Sequence, residues 1–311
     1  MPAADEVHRL QSQKGDPELE LFQMVADKGH YGGNGPNTTR QGIYAFSPSG
    51  VFLGSRNTHN VEELKRMLDQ ALERYERLPR EQRLRATDPV ADVSKLKRWE
   101  RLYPSDGLVL RVFTRDLPRE DEPADWRADA WNQDFAWFRS DEVTRLVPAK
   151  LEEGASTEWP IELVNRLART AFLDVVRGQT PPFAPEDVKV GKVYSRIVSV
   201  SDHVAEVELS GTVEMSATGW WGVSNFRDID KPQKRTREIK LRLFGSATFD
   251  RQASRFSDFE MVALGIRAGG TQFNGRWDDV DAGPIGFALV LAGDSPADKI
   301  APSAIWSYGW R

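Results

Sequence analysis

The sequence predicts an α+β protein with three successive segments. These are a mixed α/β N-terminal module over residues 1–78, a connector and helical region over residues 79–185, and an antiparallel all-β domain over residues 186–311. A length of 311 residues exceeds the usual size of one domain. After Pro185, the spacing of apolar residues changes from the period of helices to the two-residue period of strands. The β domain is expected to be a sandwich or a partly closed barrel.

The composition excludes several classes of protein. Hydrophobic residues make up 40% of the chain and charged residues 29%, which is typical of a folded globular protein. The formal net charge of −5 argues against nucleic acid as a partner, because phosphate binding needs a basic surface. No apolar run approaches the roughly 20 residues of a membrane-spanning helix. Residues 1–6 lack the features of a secretory signal, so the chain as written is expected to be cytoplasmic.

The N-terminal module is predicted to contain helical sequence, a hairpin and a further helix. Apolar residues recur at helical spacing over residues 3–28, with an interruption at residues 15–17 after which a second helix is predicted to begin. Residues 42–46 and 51–55 are apolar runs on either side of a Ser-Pro-Ser-Gly turn, which predicts a β-hairpin. Asn60 is a suitable N-cap for a helix with an apolar face over residues 61–72.

Residues 17–75 resemble the distal half of a thioredoxin-like domain. Helix, loop, strand, Pro-x-Gly turn, strand and helix is the order that closes such a domain, and residues 42–72 are similar to its last hairpin and C-terminal helix. The family's cis-proline is missing, because Thr39-Arg40-Gln41 precede the first hairpin strand, and the leading unit with Cys-x-x-Cys is missing too. The resemblance implies a redox-inactive module, since the chain has no cysteine. An unrelated hairpin packed by a helix would show the same order.

The predicted hairpin needs further strands, because a two-stranded hairpin is marginally stable alone. One candidate is the β-rich run over residues 108–114. The other lies upstream, if Met1 is an internal methionine of a longer product. Such an upstream segment would also supply the missing Cys-x-x-Cys and would leave the cellular location open.

The middle segment is predicted to be a charged connector followed by aromatic-rich helices. Residues 73–103 intersperse both charge signs, which favours a solvated connector over a partner-binding arm. Trp131, Phe135 and Phe138 fall at helical spacing, so they are predicted to anchor a helix in the core; stacking on a sugar or base is the alternative. A further helix is predicted from Pro160 to Gly178, with its arginines in solvent.

Two loops of the β domain are candidate ligand-binding rims. The candidate residues are Trp220, Trp221, Asn225 and Phe226 in the first loop, and Asn274, Arg276 and Trp277 in the second. Adjacent tryptophans indicate binding, because large apolar side chains are seldom left in water unless they pack or bind. The acidic run after Trp277 lacks the spacing of a calcium loop, so a polar turn is predicted and no metal site.

No catalytic motif stands out. The chain contains no Gly-x-Ser-x-Gly elbow, His-Glu-x-x-His, phosphate-binding loop or dinucleotide fingerprint, and no cofactor is predicted. Its four histidines are scattered. His30, in a Gly-rich loop, is the candidate general base, since loops often carry function; an ordinary loop histidine is the alternative.

The function predicted from the sequence is therefore non-catalytic binding or scaffolding. A redox-inactive thioredoxin-like module would be joined to a β domain that binds a small molecule or a protein. The alternative is an enzyme, namely the C-terminal part of a thioredoxin-family thiol oxidoreductase whose Cys-x-x-Cys lies upstream of Met1. Neither the identity of the ligand nor the oligomeric state follows from the sequence.

Overall fold

The computed structural model of the chain describes residues 17–30, 40–58, 60–84, 99–120, 125, 127–223 and 232–310. The chain divides into two compact units, Met1–Lys97 and Arg98–Arg311. The boundary expected near residue 185 therefore falls inside the second unit. Every helix among the described residues is too short or too polar to cross a membrane.

The first unit contains a two-stranded hairpin between helices. Its described elements are α1 (Pro17–Ala26), β1 (Ile43–Phe46), β2 (Phe52–Arg56), α2 (Val61–Arg77) and the short α3 (Arg80–Arg83). β1 and β2 pair in antiparallel register on either side of the predicted turn. The predicted hairpin and the helices predicted directly before and after it are thus confirmed as elements, and the helical stretch predicted over residues 3–14 lies outside the described residues.

Helix α2 is positioned by its cap and by contact with the hairpin. The side-chain oxygen of Asn60 accepts a 3.0 Å hydrogen bond from the backbone N–H of Glu63, so the predicted N-cap is confirmed. Met67 and Ala71 are buried on the side of α2 that contacts β2. Gly54 permits this close approach, because a Cβ there would lie only 2.9 Å from the Met67 Sδ.

The second unit contains one large antiparallel sheet. Its elements are β3 (Leu108–Asp116), β4 (Trp131–Phe138), α4 (Ser140–Val143), β5 (Ser156–Glu158), α5 (Ile161–Ala171), β6 (Val188–Val200), β7 (Val204–Trp221), β8 (Gln233–Asp250), β9 (Arg255–Ala268) and β10 (Gly283–Leu291). Single 3-10 turns occur at Trp99–Leu102, Thr144–Leu146, Pro185–Asp187, Pro296–Asp298 and Ile305–Tyr308. The eight strands follow the order β4-β3-β10-β9-β8-β7-β6-β5. The described strands of this unit therefore form a single sheet, not the two facing sheets of a sandwich.

Two expectations for the middle segment are wrong. Residues 131–138 form the edge strand β4 and not an aromatic helix. Residues 135–138 are all buried, because both faces of this part of β4 are covered. Such a strand lacks the alternation of apolar and polar residues that identifies strands, so the spacing of its aromatic residues resembles that of a helix. Residues 108–116 do not complete the hairpin's sheet, since β3 pairs with β10 and β4. The middle segment supplies β3, β4 and β5 to the large sheet, where the sequence predicted one strand.

The large sheet curves around helix α5. This helix contacts β4, at one end of the strand order, and β6, near the other end. Arg166 of α5 donates a 3.1 Å hydrogen bond to the Trp137 carbonyl on β4, while Val164 lies beside Gly191 on β6. In a flat sheet β4 and β6 would be six strand spacings apart, or about 29 Å. A helix is only about 10 Å wide, so the sheet must bend strongly, with α5 on its concave face.

Hydrophobic side chains cover both faces of the β3–β4 edge. The main core, on the concave side, combines the buried residues of α5 with inward residues of β3, β4 and β6 to β10. A smaller cluster joins Val109, Phe135 and Trp137 to Ile305 from the C-terminal segment. The C-terminal segment therefore covers the second face of β4, which explains the unbroken burial of that strand.

Candidate functional site

The described residues that were predicted to bind a ligand lie in different environments. Trp220 and Trp221 are the last residues of β7, so the pleat directs their side chains to opposite faces. Trp220 is 71% exposed. Trp221 packs against the main core, with the guanidinium carbon of Arg237 5.7 Å from its ring centre. Asn225 and Phe226 lie outside the described residues.

Two of the three residues in the second predicted ligand-binding loop are buried. Asn274 is buried, where its side chain donates to Asp174 at 3.3 Å and accepts from the Thr271 backbone N–H at 3.0 Å. Arg276 is fully buried. Trp277 is half-buried, with the guanidinium carbon of Arg127 5.7 Å from its ring centre. Asn274 and Arg276 are thus part of the interior and do not form an open rim.

Arg276 lies at the centre of a network that we call the Arg–Asp cluster. The cluster comprises Arg119, Arg177, Arg267, Arg276, Asp116, Asp174 and Asp279. Arg276 donates two hydrogen bonds to Asp116, at 2.7 and 2.8 Å, two to Asp174, at 2.6 and 2.8 Å, and one to Asp279, at 3.0 Å. Because these carboxylates come from β3, the segment after α5 and the β9–β10 loop, one guanidinium ties three parts of the chain together.

The other arginines of the cluster complete the neutralisation of the carboxylates. Arg177, expected in solvent, is buried and lies 2.7 Å from Asp116 and 2.8 Å from Asp279. Arg267 donates to the Asp279 carboxylate at 2.6 Å and to the backbone carbonyls of Asp279 and Asp281 at 2.7 and 2.8 Å. Buried ions need this degree of pairing, because their loss of hydration is costly.

The pKa values of Asp116 and Asp279 favour the charged form of these two carboxylates. Burial acts to raise the pKa of Asp116, but the hydrogen bond and charge of Arg276, together with other guanidinium charges, hold this pKa below its ordinary value. Burial also opposes ionisation of Asp279, yet hydrogen bonds from Arg267 and Arg119 lower its pKa well below the ordinary range. The cluster is therefore a set of ion pairs at neutral pH and not a proton-transfer pair.

The Arg–Asp cluster leaves no room for a ligand. The cavity beside it, lined by Asp174, Arg237, Arg267 and Asn274 among others, has a volume of about 10 Å³, which is enough for a single water. In the part of the chain that the structure describes, no group of three or more His, Asp or Glu side chains could hold a metal ion. The cluster thus joins β3, the segment after α5 and the β9–β10 loop within the second unit.

A larger cavity lies within the first unit, and we call it the His30 groove. Its volume is about 280 Å³, and it is formed by the turn after α1, strand β2 and helix α2. Lys28, His30, Arg56 and Arg74 contribute to its lining, and none of the described residues that line it is acidic. The sequence singled out His30 but offered no signal for the three basic residues, which are far apart in the chain.

His30 is held in a defined orientation within the groove. Its Nε2 lies 3.0 Å from the Gln41 carbonyl, and its Nδ1 lies 2.9 Å from the Ser55 Oγ. A carbonyl can only accept, so Nε2 carries a proton, and in the neutral ring Nδ1 accepts from the Ser55 hydroxyl. The Ser55 Oγ also accepts the His30 backbone N–H at 2.9 Å, and Tyr44 packs beside the ring at 5.2 Å between centres.

A serine that donates to a neutral imidazole is also the first requirement of a nucleophilic site. Here, however, Ser55 is buried, and its oxygen is bonded to both the backbone and the ring of His30. This arrangement positions the imidazole at the wall of the groove. Both ring nitrogens are occupied by these bonds, so the arrangement fixes the wall of the groove and does not prepare Ser55 for attack.

The chain matches no protein-family model, no curated protein and no solved structure.

Proposed function

We propose that this protein is a non-catalytic binding protein whose His30 groove takes a small organic anion, either a carboxylate or a phosphate ester. The observation that carries the proposal is that the described lining of the groove has basic side chains and no acidic ones. Lys28, Arg56 and Arg74 are cations, and no described lining residue is acidic. The whole chain has a net charge of −5, so this concentration of positive charge is local. Concave surfaces of one sign raise the local concentration of ligands of the opposite sign.

The remaining lining suits an anion with an apolar body. Phe52, Leu53 and Met67 supply apolar surface, and Gln70 supplies a neutral polar group. A volume of about 280 Å³ is close to the lower end of small-molecule sites. Arg74 donates a 2.6 Å hydrogen bond to the Leu53 carbonyl, which fixes its guanidinium at the wall of the groove. A fixed guanidinium loses little freedom when it binds a carboxylate or phosphate.

The non-catalytic part of the proposal is supported by the absence of cysteine. We interpret residues 17–75 as a redox-inactive thioredoxin-like module, and a chain without a thiol has no nucleophile for disulfide exchange. A thiol–disulfide turnover assay on this chain is expected to give no activity above the blank. Reproducible turnover by this purified chain would overturn that part of the proposal.

Calorimetric titration at low ionic strength tests the anion site, with citrate and inorganic phosphate as the two probes. Lys28→Gln and Arg56→Gln each remove one charge from the groove, and each is expected to weaken binding about fivefold, or by about 1 kcal/mol. Stronger binding of one probe would identify the carboxylate or the phosphate as the preferred group.

Arg77→Gln is the matched control. It removes the same charge from helix α2 at an exposed position that does not line the groove and that pairs with Glu73 at 3.6 Å. This variant is expected to bind both probes as the unchanged protein does. Equal weakening in all three variants would indicate a general effect of net charge, and it would count against the groove, as would the absence of binding by the unchanged protein.

A further inference from the structure

Strand β4 lies at one end of the large sheet, and among the described strands none pairs with its outer edge. An edge strand usually exposes a row of backbone N–H and C=O groups, to which a strand of another chain can pair. The edge of β4 departs from this general picture, because side chains of the same chain already bind several of its N–H groups.

The pairing of β3 identifies the residues of β4 whose backbone faces outward. The Val109 carbonyl accepts a 2.9 Å hydrogen bond from the N–H of Ala292, which directly follows β10 on the far side of β3. Val109 and its partner Trp137 therefore form a pair without hydrogen bonds between them. Such pairs alternate along an antiparallel ladder, so outward N–H groups occur at every second residue of β4. They are those of Trp131, Gln133, Phe135 and Trp137.

Two of these outward N–H groups donate to the side chain of the preceding residue. The Gln133 N–H donates to the Asn132 Oδ1 at 2.8 Å, and the Phe135 N–H donates to the Asp134 Oδ1 at 2.8 Å. Asparagine and aspartate are uncommon within strands, and both offer the backbone local hydrogen bonds of this kind. At the edge of β4, these bonds take the place of those that an added strand would make.

A third outward N–H and one carbonyl of the edge bind more distant parts of the chain. The Trp137 N–H donates to the Tyr308 hydroxyl oxygen at 3.4 Å, and the Trp137 carbonyl accepts from Arg166 at 3.1 Å. The Asp134 carboxylate also accepts from the backbone N–H and the hydroxyl of Ser303, at 2.9 and 2.5 Å. Ser303 and Tyr308 therefore hold the C-terminal segment beside the edge.

We propose that Asn132, Asp134 and Tyr308 prevent a second copy of this chain from adding a strand to the edge of β4. A second copy is the partner to exclude, because two identical edges can pair antiparallel about a two-fold axis and each then supplies the same groups to the other. The proposal does not rest on the proposed function, because the His30 groove belongs to the first unit and β4 to the second.

Replacement of Asn132 and Asp134 by valine tests the proposal. Valine has no side-chain acceptor and favours strands, so in N132V/D134V the N–H groups of Gln133 and Phe135 become available to another strand. In sedimentation velocity on the full chain, this variant is expected to self-associate at least about tenfold more strongly than the unchanged chain. Far-UV circular dichroism checks its fold. If the double variant does not fold, Asn132→Val alone carries the same test, because it leaves the contacts of Ser303 intact.

Two matched variants separate the hydrogen bonds from other effects. Gln133→Val also places valine at an exposed polar position of β4 but leaves both acceptors in place, so it is expected to behave as the unchanged chain does. Asp134→Asn removes the charge but keeps an oxygen that can accept the Phe135 N–H, so it too is expected to leave the association unchanged. Association of Asp134→Asn to the extent of the double variant would show that charge repulsion, and not the hydrogen bond, protects the edge.

A spin label locates the association. The chain has no cysteine, so Gln133→Cys provides a single site for a nitroxide at the edge. In dimers of labelled N132V/D134V, the two nitroxides are expected within about 20 Å of each other, because paired strands lie about 5 Å apart. A folded N132V/D134V that associates no more than Gln133→Val would overturn the proposal. Dimers with distant labels would overturn it as well, and so would close labels in the chain that retains Asn132 and Asp134.

Discussion

Replacement of Arg276 tests whether the Arg–Asp cluster stabilises the second unit. The Arg276 guanidinium is fully buried and binds Asp116, Asp174 and Asp279 at once. In the Arg276→Gln variant, Asp116 and Asp279 would still have Arg177 as a partner. Asp174 would keep, among the contacts described for it, only the 3.3 Å hydrogen bond from Asn274. A buried carboxylate would then be left without a guanidinium hydrogen-bonded to it, and only the more distant charge of Arg237 would remain.

The expected loss is about 3–5 kcal/mol of unfolding free energy, the range found when one partner of a buried ion pair is removed. Single domains are typically stable by about 5–15 kcal/mol, so the variant is expected to fold but to unfold at much lower denaturant concentration. Arg276→Lys retains the charge but lacks the forked donors that bind two carboxylates side by side, so an intermediate loss is expected.

Urea unfolding followed by tryptophan fluorescence is the appropriate assay. All 10 tryptophans lie beyond residue 97, so their emission reports on the second unit alone. Arg196→Gln serves as the control, because it removes an exposed pair with Glu208 at 2.8 Å that should contribute less than about 1 kcal/mol. If Arg276→Gln costs no more than Arg196→Gln, the inference that the cluster stabilises this unit is wrong.

Two further predictions concern the same unit. The pKa values of Asp116 and Asp279 are lowered in the folded chain, so below about pH 4 the unfolded state takes up protons first. The stability that these groups provide should thus be complete above that pH and be lost as the pH falls through their pKa values in the folded state. An unfolding free energy that does not change between neutral and acidic pH, measured by urea titration, would contradict this. Trp220→Ala is expected to lower the acrylamide-quenchable emission with little loss of stability, whereas Trp221→Ala should cost about 2 kcal/mol, because only Trp221 packs on the core. Equal effects of the two replacements would argue against their placement on opposite faces of β7.

Local signals in the sequence were sufficient for much of the fold. The Ser-Pro-Ser-Gly turn and the Asn60 cap act within a few residues, and the structure contains the hairpin and helix that they predict. The two-residue period after Pro185 likewise predicted an antiparallel sheet. Helix α5 ends at Ala171, earlier than the predicted end at Gly178, because the buried segment after it joins the Arg–Asp cluster through Asp174 and Arg177.

The candidate site was predicted only in part. His30 was singled out from its loop, but Lys28, Arg56 and Arg74 come from three elements that the hairpin and helix bring together. Arg276 was identified as a candidate because it lies in a polar loop beside a tryptophan. No local pattern indicates that Asp116, 160 residues away, pairs with it in the interior.

The sequence by itself determined the elements whose causes are local, namely turns, caps and the period of apolar residues. The sequence also establishes that these 311 residues include no cysteine. Only the tertiary structure decided that residues 131–138 form a strand and that Arg177 and Arg276 are buried. It alone also showed that Val262, Leu264 and Ile266 of β9 are partly exposed on one face of the sheet. The physical reason is that burial, ion pairing and the meaning of an apolar pattern depend on which distant segments pack together.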